Sequence, residues 1–323
     1  MSLAPLVIVN PAAGGGRALR SVAWLRERLG ARPDVRIEIT RRPGDAETLA
    51  ADAVRHGHDR VIAVGGDGTV QEIVNGLLAA REPAAMGIVP LGSGNDLARS
   101  LGLPVELASA WRIAIGHATR AIDVAHARNG NGTERWFASA GGIGFDAQVA
   151  AAMADRSGWQ AGRAGYLVTT LAELRRFENR RIRLTIDGET ETAHVLFVAI
   201  ANGANYGGGM RIAPGATVDD GRLDVCVVGD ISRLTVLRQL PNLYRGTHVN
   251  HPAVTMRSGT IVEADGDGDT RVHLDGEPFG ALPLRVTISH RALAVASAAI
   301  HDSPSGTAIP VAGDAATRSI PLG

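Results

Sequence analysis

The chain has 323 residues, 45% of them hydrophobic, which is long enough for two domains or one large one and too apolar for global disorder. Its 33 basic and 33 acidic residues cancel, which argues against a protein built mainly to coat nucleic acid. Every basic residue is Arg, and the absence of Lys closes the Walker-type route to phosphate binding, which needs that side chain.

Cys226 is the only cysteine, so neither an intrachain disulfide nor a Cys-based zinc site can form. It lies in the apolar run 223–228, which predicts a reduced core thiol. The first apolar run follows the N-terminus without a signal-peptide layout, and no apolar stretch approaches the ~20 residues of a membrane span. These features predict a soluble, cytoplasmic protein whose membrane contact is peripheral and transient.

Taken in chain order, short apolar runs at 6–10, 36–40, 60–64 and 86–90 recur at intervals of 30, 24 and 26 residues. The sequence between them has helical periodicity. Ala46, Leu49, Ala50, Ala53 and Val54 share one face, as do Val70, Ile73, Val74, Leu77 and Leu78, and then Leu107, Ala110, Trp111, Ala114 and Ile115. Strands joined by single crossover helices make a parallel α/β sheet. From about residue 122 the texture changes to short strand-like runs separated by Gly/Asp turns, with one helical segment at 162–177. That pattern predicts a mostly antiparallel sandwich. The expected division is an α/β domain at 1–121, a β-rich domain at 122–300 and a frayed tail at 301–323.

Three loops carry the chemistry. The strand at 60–64 runs into Gly65-Gly66-Asp67-Gly68-Thr69 and then directly into a helix. Glycines at a strand's carboxyl end let a ligand approach the backbone, and the free N–H groups of the following helix favour phosphate. Asp67 would repel a bare phosphate, so its presence points to a bridging divalent cation or to ordered water. The next strand repeats the design with Gly92-Ser93-Gly94-Asn95-Asp96, which places Asp96 on the same rim 29 residues later. The first strand ends in Asn10-Pro11 and the glycines 14–16, with Arg17 the nearest cation for phosphate charge.

Together these loops resemble the nucleotide-site motifs of the diacylglycerol kinase catalytic family, which includes sphingosine and ceramide kinases and is more distantly similar to NAD kinases and phosphofructokinases. The likeness continues through Gly142-Ile143-Gly144-Phe145-Asp146, Asn202, Tyr206-Gly207-Gly208-Gly209, Val218-Asp219-Asp220-Gly221 and Leu274-Asp275-Gly276-Glu277. It covers residues 6 to about 297 and is strongest to the bacterial soluble lipid kinases. The resemblance implies a Rossmann-like nucleotide domain and a β-sandwich lipid domain that together transfer a phosphoryl group from ATP to a lipid hydroxyl, with diacylglycerol the leading acceptor. An NAD kinase-like enzyme and a nucleotide-binding regulator without catalysis are the alternatives.

By the same resemblance, ATP is bound by Asn10, Thr40, Gly66, Asp67, Gly68, Thr69, Val70, Gln71, Glu72 and Ser93. Pro11, Gly65, Gly92 and Asn95 belong to the same three motifs. Asp67 and Asp96 organise Mg2+ and water at the phosphates, and Glu277 is the general base for the acceptor hydroxyl. A structural Mg2+ is held by Asp220 with the carbonyls of Thr217 and Arg222, and Asp146 lies near the lipid head. Relatives often dimerise through the β half, so a homodimer is an expectation. Two departures are Gly15, where some relatives carry Lys, and Ser93, where others carry Thr. Outside these motifs, Asp265-Gly266-Asp267-Gly268-Asp269 lacks the Gly and Glu of a calcium loop and reads as a hairpin turn. The arginines at 175, 176, 180, 181 and 183 read as a solvated helix end.

Overall fold

A computed structural model describes residues 4–29, 35–154, 163–266 and 268–298. The expected tail at 301–323 lies outside them. The first half contains four parallel strands, β1 (Leu6–Val9), β2 (Arg36–Ile39), β3 (Arg60–Gly65) and β4 (Ala85–Pro90), in the spatial order β4-β3-β1-β2. Five helices connect or flank them: α1 (Ala13–Leu29), α2 (Asp45–Arg55), α3 (Asp67–Ala80), α4 (Asp96–Ser100) and α5 (Leu107–Ala114).

β1 and β3 are buried along their whole length because both faces of the sheet are covered. Leu6, Ile8, Val61 and Ala63 pack on one side with Ala50, Val54, Ile73 and Val74 of α2 and α3. Val7, Val9, Ile62 and Val64 pack on the other with Val22 and Leu25 of α1 and Trp111 of α5. The two-residue alternation of the strands therefore separates two apolar layers. Strand order reverses at β1, which creates a crevice at the carboxyl edge where open α/β sheets bind ligands.

The second half contains β5 (Thr119–Asn129), β6 (Glu134–Phe137), β7 (Ala140–Gly144), α6 (Phe145–Ala154), α7 (Arg163–Leu174), β8 (Arg180–Ile186) and β9 (Glu189–Ala201). There follow β10 (Leu223–Gly229), α8 (Arg233–Arg245), β11 (Val254–Gly259), β12 (Ile261–Gly266), β13 (Arg271–Leu274), β14 (Glu277–Ala281) and β15 (Leu284–Ala296). The pairings within this half are antiparallel. Phe137, Ile143, Ile182, Val198, Val225, Val262 and Val286 form one apolar core of this half. A second cluster, which includes Cys226, packs under the three helices through Val149, Leu174 and Val236. Cys226 is the expected core thiol, and burial pushes its pKa up to about 12.

β15 joins the two halves. It pairs antiparallel with β12 and β5, bends where Arg291 takes a positive φ of 51°, and then sets Ala294 and Val295 parallel to Ala85 and Met86 of β4. The strand-like runs expected near 284–289 and 292–297 are thus one bent strand.

Three other details differ from the sequence reading. The helices α6 and α8 interrupt the β half in addition to α7. The segment from Asp265 to Asp269 is not a hairpin: β12 pairs with β8 and β15, whereas β13 pairs with β7 and β14. Finally, α7 ends at Leu174, and Arg180 and Arg183 lie on β8, ion-paired to Asp269 and Asp265.

Candidate active site

The three Gly-rich loops meet at the carboxyl edge of β1, β3 and β4. Asn10 Nδ2 donates to Thr69 Oγ1 at 3.1 Å, which ties the end of β1 to the first turn of α3. Gly14, Gly15 and Gly16 all have positive φ (61°, 66° and 82°), a left-handed run that L side chains resist. Gly66 and Gly92 touch backbone to backbone, since a Cβ on Gly92 would collide with Gly66 Cα. The third loop closes on itself: Asn95 Oδ1 accepts from Gly92 N and Asn95 Nδ2 donates to Gly92 O, both at 2.9 Å.

Asp67 begins α3. Its carboxylate accepts the backbone N–H groups of Asn95 (2.7 Å) and Asp96 (2.6 Å) at the start of α4. Asp96 in turn accepts from Gly208 (3.0 Å) and Gly209 (2.9 Å) in the second half. Both carboxylates face one point beside Gly94, where a Cβ would lie 2.5 Å from Asp67 Oδ2 and 3.5 Å from Asp96 Oδ2. Burial raises the pKa of Asp67. Burial, reinforced by the neighbouring Asp67 charge, raises that of Asp96 to about 7.

Glu277 is carried by a tight hairpin. Asp275 (φ 49°) and Gly276 (φ 88°) form a two-residue turn with both central residues left-handed, and Leu274 pairs with Glu277 across it. Asp275 is only half-buried as a residue, but its carboxylate is turned inward onto the N–H groups of Ala138, Ser139 and Ala140 (2.9–3.0 Å). Burial pushes its pKa up to about 6 against those three bonds. Gln71 Nε2 donates to Leu274 O at 2.8 Å, which fixes the hairpin to α3. A Cβ on Gly68 would lie 3.2 Å from Glu277 Oε1, so Glu277 stands against the first turn of α3 beside Asp67.

A cavity of about 180 Å³ opens between the halves at this point, lined among others by Asp67, Ser93, Asp96, Asp275, Tyr206 and Tyr244. Asp67, Ser93 and Asp96, singled out from sequence, thus line one cavity, and Glu277 stands at its edge by way of Gly68.

Others are engaged elsewhere. Glu72 receives the N–H groups of Gly44 and Ala46, both at 3.0 Å, and so caps α2. Arg17 donates to the carbonyls of Gly14, Leu91 and Gly92, bracing the loops with its guanidinium. Thr40 is buried against β1, its N–H on Val9 O at 2.9 Å. Val70 is a core residue. Asp146 is buried opposite His273 (3.3 Å), behind Tyr206, whose ring stacks on the His273 imidazole.

The Asp220 turn presents hard oxygens. Its carboxylate accepts from Thr217 Oγ1 (2.9 Å) and Arg222 N (3.0 Å), while the Arg222 guanidinium turns away to Ser258. A carboxylate beside backbone carbonyl oxygens fits the donor set Mg2+ prefers.

Several residues without an assigned role prove central. Asp123 is fully buried and gathers Gly221 N, Arg291 N and His290 Nδ1. Asn202 Nδ2 bridges the carbonyls of Asp123 and Ala138. The Asp-Gly turn itself was a signal for Asp275. Nothing local marks Asp123, whose partners lie 98 to 168 residues away.

Residues 4–127 match the diacylglycerol kinase catalytic domain, and residues 139–297 match the YegS C-terminal NAD kinase beta sandwich-like domain. A diacylglycerol kinase of Mycobacterium tuberculosis is 35% identical across 89% of this chain and 93% of its own length. The chain belongs to the diacylglycerol kinase family of lipid kinases. A Chromohalobacter salexigens protein named "Probable lipid kinase YegS-like" shares 32% identity over 84% of this chain and 85% of its own. The fold of this family is seen in a Bacillus anthracis crystal structure that matches with a TM-score of 0.76, 25% identity and coverage of 92% and 95% of the two chains. The crystal structure of a Bacillus anthracis diacylglycerol kinase gives 0.70 at 23% identity, covering 92% of this chain and 97% of its own.

Proposed function

We propose that this lipid kinase transfers the γ-phosphoryl group of ATP to the hydroxyl of a membrane lipid, with diacylglycerol the leading acceptor and phosphatidic acid the product. The observation that carries the reading is the placement of Glu277 against Gly68 in the first turn of α3, next in sequence to Asp67, which lines a cleft shared by both halves. The phosphates rest on the Gly-rich loops and the start of α3, where backbone N–H groups face anionic oxygens. Glu277 takes the proton from the acceptor hydroxyl as that oxygen bonds to the γ-phosphorus and ADP departs.

Asp67 and Asp96 would hold Mg2+ at the phosphates, and their raised pKa values mark a carboxylate pair that a cation would stabilise. Bound there, the ion would neutralise phosphate charge. A second, structural Mg2+ fits Asp220 with the carbonyls of Thr217 and Arg222.

Labelled ATP and Mg2+ incubated with the protein and a panel of lipids in mixed micelles, with NAD as the soluble control, tests the reading. Label in diacylglycerol supports it, label in another lipid moves the acceptor, and label in NAD alone overturns the lipid assignment.

A further inference from the structure

Of the thirteen residues of α8, only Val236 is buried. Leu234 is 55% exposed, and Leu237 and Tyr244 are each 38% exposed, three of the eight large apolar side chains so placed among the described residues. With the exposed Pro241 they fall at i, i+3, i+7 and i+10, a single stripe along one helix face. Arg233, Arg238 and Arg245 are exposed along the same helix. From 231 to 262 the chain has four arginines and no Asp or Glu. Arg257 is paired to Glu191, and Arg233 donates to Phe177 O. Arg238 and Arg245 form no ion pair with the described residues.

An apolar stripe on a helix whose own charges are all cationic matches an anionic bilayer, where the stripe enters the acyl boundary and the guanidinium groups meet headgroup phosphates. The stripe also leads into the site: Tyr244, in the last turn of α8, lines the cleft together with Met153 of α6. Pairing α8 with its counterpart in a second copy would bring arginines together without carboxylates to offset them.

We infer that α8 is the surface by which this kinase lies on anionic membranes, with Leu234 and Leu237 inserted and Arg238 and Arg245 on the lipid phosphates. The inference rests on the reading that the acceptor is a bilayer lipid, and it assigns the face that meets the bilayer.

The test is flotation of the full chain with vesicles of phosphatidylglycerol and phosphatidylcholine, against phosphatidylcholine alone. Wild type is compared with the double variants Leu234→Ser/Leu237→Ser and Arg238→Glu/Arg245→Glu. The expected result is preference for the anionic vesicles, about tenfold weaker in each variant, with unchanged melting temperature and unchanged turnover of a dispersed short-chain diacylglycerol. Undiminished vesicle binding by both variants overturns the inference, as does a wild-type dimer in sedimentation that the leucine variant dissociates. Vesicle binding through α8 by a protein that phosphorylates no lipid in any form would instead overturn the acceptor reading and leave α8 as the docking face.

Discussion

Asp67 receives the amide N–H of Asp96 at 2.6 Å, and through that bond the first Gly/Asp loop sets the position of the second. Asp96 passes the constraint on, since its own carboxylate holds the amides of Gly208 and Gly209 in the opposite half. Two acidic residues that the sequence presents as parallel copies of one motif are thus linked in series across the cleft.

The carboxylate pair should make stability depend on pH in an unusual direction. Asp96 titrates near 3.8 when unfolded and about 7 when folded, and the pKa values of Asp67 and Asp275 are also raised. Between those values the unfolded chain has lost protons that the folded chain keeps, so stability falls as pH rises from about 4 to 7 and levels off above. Melting temperatures of the metal-free protein across this range should decline, and Asp96→Asn should flatten the slope. Mg2+ with nucleotide should raise the melting temperature more at pH 8 than at pH 5; equal shifts at both would count against the pair as the metal site.

Glu277→Gln should leave the fold intact, because the side chain is exposed and serves no hydrogen bond in the hairpin pairing. Turnover should fall by roughly 10²–10⁴-fold, the usual contribution of a positioned base. Nucleotide affinity, measured by calorimetry, should stay within a factor of about two. Wild-type turnover in this variant would remove Glu277 from the mechanism.

Asp275→Ala leaves the amides of Ala138, Ser139 and Ala140 without their acceptor and releases the turn that carries Glu277. A loss of about 3 kcal/mol in urea unfolding is expected, offset in part by removal of a buried carboxyl. Turnover should drop together with stability. A variant as stable as wild type would show that the three amides find water instead.

Glu72→Ala should act on stability rather than on chemistry. The carboxylate caps α2 through Gly44 and Ala46, an interaction worth on the order of 1 kcal/mol. Unfolding should register that loss while the KM for ATP holds steady. A large rise in KM would instead return Glu72 to the nucleotide site.

Much of the fold was legible from the sequence because β1, β3 and β4 are short apolar runs, each leading into a glycine turn and each buried on both faces. α6 and α8 escaped for different reasons. Residues 145–154 are apolar on nearly every side, so no face stands out, whereas α8 holds Pro241 in its interior, a residue that reads as a helix break. The site divides in a similar way. Asp67, Asp96 and Glu277 lie in glycine turns that advertise them, but Asp123 and His273 sit inside ordinary strand sequence and acquire partners only when distant segments meet. Glu72 and Arg17 show the reverse: they lie within or beside the motifs, yet brace the backbone around them.

The bend at Arg291 carries a consequence for how the chain is made. Until residues 294 and 295 leave the ribosome, Ala85 and Met86 of β4 lack their parallel neighbour, and β5 lacks the partner that runs along it to Ala296. The nucleotide half is encoded first but completed last. A nascent chain stalled before residue 284 would hold an unfinished sheet edge, and its β4 backbone would be open to pairing with other chains.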